Sequence, residues 1–168
     1  YAALGLFRRA PQYVRALVLA DTKAPGDTAD AKQSREQMIA LAQERGAAAV
    51  AEQMVPKLLG ETTRREQPVL VEHVRSLISG STPEAIEGGL RALMSREDST
   101  PLLPRIHVPV LIIVGDEDGV TPPPLSEDMQ RGIPGAELVR IPRAGHLSSL
   151  EQPGPFNAAV ARFLSSRI

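Results

Sequence analysis

Two short β-branched runs constrain what this chain can fold into. They are Val110-Leu111-Ile112-Ile113-Val114 and Leu138-Val139-Arg140-Ile141. Runs of this length and composition read as buried strands. About Pro124 to Arg131, between them, reads as a helix. A strand–helix–strand order makes a parallel pair with a crossover connection. Both strands then end on one rim, where open α/β sheets hold their chemistry. The loop after the first run carries Asp116 and Asp118, and the loop after the second carries His146.

The rest of the chain supports an α/β class. Tyr1 to Arg9 reads as a helix already in progress, with Leu4 and Phe7 on one face and no capping residue before it. Val14 to Ala20 reads as a buried strand that Asp21-Thr22 ends. From about Lys23 to Ser99 no strand is convincing. Four helices are predicted there: Asp30 to Arg45, Ala47 to Leu59 with Pro56 kinking or ending it, Glu66 to Ile78, and one starting at Ser81-Thr82-Pro83-Glu84. The last helix of the chain carries an apolar stripe of Phe156, Ala159, Val160, Phe163 and Leu164. The expected division is 1–22 as part of a sheet core, 23–99 as an inserted helical cap, and 100–168 as the rest of the core. Three parallel strands would leave 14–20 as an exposed apolar edge, so this chain reads as part of a larger sheet.

Composition removes several function classes. The net charge of −1 offers no basic field for nucleic acid. Charge runs such as Thr63-Arg64-Arg65-Glu66 mix both signs and read as solvated helix faces. No apolar run approaches the roughly 18 residues of a membrane span. With no Cys there is no thiol chemistry, which fits a cytoplasmic protein. Three scattered His without Cys argue against a metal site. Of these, His73 and His107 read as structural or solvent-exposed. No Gly-rich phosphate loop is present.

Asp118 and His146 are 28 residues apart, one strand–helix–strand step. A catalytic His needs a carboxylate to fix its tautomer and to stabilise its protonated form. Asp118 is chosen over Asp116 because the third residue after Gly115 can turn back over the sheet edge. Asp116 is expected to bond nearby backbone N–H groups in the turn. Gly145 allows an unusual backbone conformation and a close approach at the rim. These are two parts of a nucleophile–His–acid triad. Ser148 and Ser149 are poorly placed for attack at the start of a helix, so no residue here reads as the nucleophile.

Gly-Asp-Glu-Asp-Gly-Val-Thr-Pro at 115–122, Gly-His-Leu at 145–147 and Leu-Glu-Gln-Pro at 150–153 resemble the acid and histidine loops of the α/β-hydrolase superfamily. The opening Tyr-Ala-Ala-Leu-Gly-Leu resembles the segment directly after that family's Gly-x-Ser-x-Gly-Gly elbow. The resemblance spans the chain as the carboxyl-terminal part of the fold. It is greatest to 3-oxoadipate enol-lactonase-type esterases and cofactor-free haloperoxidases.

This resemblance implies Asp118 as the triad acid and His146 as the base, with Asp21 the runner-up acid. It places the nucleophilic Ser roughly four residues before Tyr1. The oxyanion-hole residues would likewise lie outside the chain. The implied activity is cofactor-free hydrolysis of a small apolar ester or lactone, or perhydrolysis by the same triad. The implied partner is an amino-terminal hydrolase segment, or a second copy, on strand 14–20. The competing reading is an inert piece that functions by assembling with a partner chain.

Overall fold

The computed structural model describes residues 1–167. Its first helix, α1, is Ala2–Arg9, and a 3-10 turn at Pro11–Tyr13 leads into strand β1, Leu17–Ala20. Four helices come next: α2 Ala29–Leu58, α3 Glu61–Glu66, α4 Pro68–Ser79 and α5 Pro83–Met94. After a 3-10 stretch at Thr100–Arg105 come β2 Val110–Gly115, α6 Pro123–Gly132, β3 Glu137–Ile141, α7 Ser148–Glu151 and α8 Pro153–Arg167. Among the described residues the strands form one parallel sheet in the order β1-β2-β3.

β2 is central and buried throughout. Successive side chains of a strand face opposite sides, so its apolar run feeds two cores. Val110 and Ile112 join Leu4 and Phe7 of α1, Met129 of α6 and Ile133 just after it. Leu111 and Ile113 join Ala159 and Phe163 of α8. Each fully buried Ile contributes about 2–3 kcal/mol.

The strand expected at 14–20 is shorter. β1 begins at Leu17, whose partner is Val110, the first residue of β2. Pro109 accepts the Leu17 N–H but has none of its own to give. Val14 to Ala16 therefore find no ladder. Nor is β1 wholly buried, since Val18 is 36% exposed.

The helical segment also differs in detail. Residues 29–58 are two helices, as expected, that meet at a kink at Gly46, whose φ of 76° only glycine adopts readily. Pro56 lies inside the second, two residues before its end. The short helix α3 has no counterpart among the expected elements. Thr62 and Thr63 are buried in it while Arg64, Arg65 and Glu66 are exposed. The next helix starts at Pro68 instead of Glu66. Thr82 caps α5 by accepting the Ala85 N–H. In α8 the predicted stripe holds at Ala159 and Phe163, but Leu164 is 46% exposed.

Both ends of the helical segment meet at Asp27. Its buried carboxylate accepts from Arg35 at 2.5 Å and lies 3.6 Å from Arg96 and 3.7 Å from Lys23. The Arg35 bond outweighs burial and holds this carboxyl below its ordinary value. No described helix is long and apolar enough to cross a membrane.

Candidate active site

Three glycines let three backbones meet at the carboxyl end of β2. A Cβ on Gly115 would strike the carbonyls of Ala144 and Gly145. One on Gly145 would strike Leu59 and Gly60, and one on Gly60 would meet the Gly145 nitrogen at 2.9 Å. Gly145 thus supplies the expected close approach. The left-handed conformation in this loop belongs to Arg143, with φ of 60°.

This packing brings Asp118 and His146 together. His146 Nδ1 lies 2.9 Å from Asp118 Oδ2 and 3.3 Å from Thr121 Oγ1. Asp118 Oδ1 accepts the N–H groups of Val120 and Thr121, both at 2.8 Å, and Oδ2 accepts the Thr121 hydroxyl at 2.7 Å. Asp118 is 3% exposed. Burial pushes its carboxyl up, but the bonds from His146 and Thr121 outweigh burial and hold it below the ordinary value. An ionised partner at Nδ1 favours the tautomer with its proton there. The Nε2 lone pair is then left to take a proton from a substrate or nucleophile.

Other residues sit differently from their expected places. Asp116 makes no turn bonds of the kind expected. Its carboxylate accepts from Arg140 of β3 at 2.6 Å, and Asp118 makes the turn bonds instead. Asp21 ends β1 on the same rim with φ of 46°. Its carboxylate accepts the Gly115 N–H at 3.2 Å, and the N–H and hydroxyl of Ser148 at 3.1 and 2.6 Å. Ser148 is thereby committed to Asp21, and Ser149 is exposed. His73 lies exposed on α4, and His107 lies exposed before β2, at the opposite end of the strands from Asp118.

Two carboxylates escape the sequence reading. Glu117 accepts the N–H and hydroxyl of Thr62, at 2.8 and 2.5 Å. Glu151, only 2% exposed, accepts N–H groups from Gly60, Gly145 and Leu147 at 2.8, 2.9 and 3.1 Å. The sequence signal for Glu151 is its place in Leu-Glu-Gln-Pro at 150–153, five residues after the His, which assigns it no role. Its partner Gly60 lies 91 residues away, beyond what spacing reveals. The His146 N–H itself donates to the Leu58 carbonyl at 2.8 Å. Residues 58–62 are therefore bonded to both loops.

Beside Leu58 an apolar groove opens along the helical segment. It is lined by Met38, Val50, Met54, Leu58, Ile86 and Leu90, among others, and holds about 460 Å³.

The model of the α/β-hydrolase fold matches residues 2–153, and the chain belongs to that family. Among solved structures it is similar to a thermophilic esterase from Thermogutta terrifontis. The two are 35% identical with a TM-score of 0.94, over 98% of this chain and 61% of that one. It is 29% identical to 3-oxoadipate enol-lactonase 2 of Acinetobacter baylyi, over 89% of this chain and 54% of that protein. It is 36% identical to a pimeloyl-[acyl-carrier protein] methyl ester esterase of Neisseria meningitidis, over 49% of this chain and 32% of that protein. The chain thus spans between about a third and three fifths of the length of these relatives.

Proposed function

We propose that the whole protein hydrolyses a small apolar carboxylic ester or lactone through an acyl-enzyme. The observation that carries this reading is the 2.9 Å contact between Asp118 and His146 at the carboxyl ends of neighbouring strands. The names of the relatives, two esterases and an enol-lactonase, agree with it.

In this reading the nucleophile is a Ser of the whole protein that lies outside these 168 residues. His146 Nε2 takes its proton as the oxygen attacks the carbonyl carbon. Asp118, held ionised, stabilises the imidazolium. His146 then gives the proton to the leaving oxygen, and the ester C–O bond breaks. The same His activates water, which splits the acyl-enzyme and regenerates the Ser. The helical segment serves as a cap, and its groove takes the apolar part of the substrate. Lining such a groove with aliphatic side chains favours the substrate by about 0.8 kcal/mol per buried methylene.

The test is hydrolysis of p-nitrophenyl esters by the protein with its preceding segment in place. His146→Ala should lower kcat by about 10³-fold or more. Turnover that survives this change in a folded protein would sink the triad assignment.

A further inference from the structure

We propose that Glu151 is a positioning residue for His146 and ties it to the helical segment. The role rests on the catalytic reading of His146 above, but the geometry stands by itself. Three consecutive backbone N–H groups are fixed around the imidazole. Those of Gly145 and Leu147 converge on one oxygen, Glu151 Oε1, at 2.9 and 3.1 Å. The one between them, on His146, donates to Leu58 at 2.8 Å. Successive N–H groups of a tight loop form an anion-binding concavity. Here the chain fills that concavity with its own buried carboxylate.

The second oxygen reaches elsewhere. Glu151 Oε2 accepts the Gly60 N–H at 2.8 Å, in the link between α2 and α3. One carboxylate therefore joins the His loop to the end of the element whose Leu58 lines the apolar groove. No cation pairs with Glu151 among the described ion pairs, and its two buried oxygens take their donors from these three backbone N–H groups. Buried polar atoms are seldom left without such partners. Moving the groove's end moves Gly60, and Glu151 passes that displacement to the residues flanking His146.

Two variants of the whole protein separate positioning from plain structure. Glu151→Gln keeps one carbonyl oxygen for Gly145 and Leu147 but sets an NH₂ group against the Gly60 N–H. It cuts the link to the helical segment first. Glu151→Ala removes all three acceptors. Two readouts are needed: kcat and KM on a p-nitrophenyl ester, and the ¹⁵N NMR resonance and titration of His146. We expect Glu151→Gln to lower kcat about tenfold with KM within about twofold, and Glu151→Ala to lower it further. Both should shift the His146 resonance. A folded Glu151→Gln protein with unchanged kcat and an unchanged His146 resonance would overturn the proposal. So would a rise in KM alone, since that reports only a displaced helical segment. Asp118→Asn serves as the control that must move the His146 resonance. If His146→Ala left turnover intact, the catalytic reading would fail. The NMR arm would still decide whether Glu151 holds the ring.

Discussion

Asp118 and Asp21 sit on one rim, just beyond neighbouring parallel strands, and each accepts a buried hydroxyl and two backbone N–H groups. Their carboxyls nevertheless move in opposite directions. Asp118 is held below its ordinary value, whereas burial pushes Asp21 up to about 6 despite its bonds from Ser148 and Gly115. The difference is the imidazole. Asp118 has His146 at 2.9 Å, while Asp21 has no cationic partner among the described residues and feels the charge of Asp118. Backbone and hydroxyl donors alone do not hold the half-buried Asp21 carboxyl at its ordinary value. At Asp118 a group that can carry positive charge adds to them. In the proposed reading this is the physical reason that Asp118 takes the acid role, while Asp21 bonds to both the end of β2 and the start of α7.

The largest test of this contrast is Asp118→Asn. The amide keeps the size of the carboxyl but cannot stabilise an imidazolium, and it favours the wrong tautomer. In the whole protein kcat should fall by about 10⁴-fold, with Asp21→Asn costing far less. Steady-state ester hydrolysis measures both. Equal losses would mean that the two carboxylates share the acid role.

Much of this contrast was legible in the sequence, and the part that was not has a common cause. β2 and β3 are readable because each is a β-branched run bounded by turn residues, and the Asp118–His146 pair comes from their spacing. The expected β1 is three residues too long because Val14-Arg15-Ala16 has strand composition but no partner ahead of Pro109. α3 is invisible to periodicity because Glu61-Thr62-Thr63-Arg64-Arg65-Glu66 has no apolar repeat. Its burial comes from Glu117 and from the close backbone approach at Gly60. Glu151, Asp21 and Glu117 each bond a partner 55 residues of sequence or more away. Local patterns report what a segment buries; they do not report which distant N–H groups a carboxylate will meet.

The second test tracks stability against pH. Asp21 has a folded value of about 6 against an ordinary 3.8, so between these values the folded state binds the extra proton. Stability from this group is therefore greatest below about pH 4 and falls as pH rises through 6. The whole fall is about 3 kcal/mol, from a shift of about two units at 1.36 kcal/mol each. Asp118 has the opposite sign: its stabilisation is present above the ordinary value and is lost as pH falls through its lower folded value. Asp21→Asn tolerates φ of 46°, since Asn accepts left-handed backbone well. It should abolish the fall between pH 4 and 7, as read by urea unfolding. Parallel pH profiles for wild type and variant would show that Asp21 is not the source.

The smallest effects come from the two hydroxyls, and they sharpen the contrast most. Thr121 donates to Asp118 at 2.7 Å and Ser148 to Asp21 at 2.6 Å, and both residues are fully buried. A hydrogen bond to a charged group stabilises by about 1.5–3 kcal/mol, one to a neutral group by about 1. Thr121→Val and Ser148→Ala should therefore cost similar amounts at pH 8, where both carboxyls are ionised. At pH 5 Asp21 is mostly protonated in the folded state and Asp118 is not. The cost of Ser148→Ala should then shrink by about half or more, while that of Thr121→Val should persist. Urea unfolding of both variants at the two pH values reads this directly. If the two costs changed together, the opposite settings of Asp118 and Asp21 would be wrong, and His146 would not be what separates them.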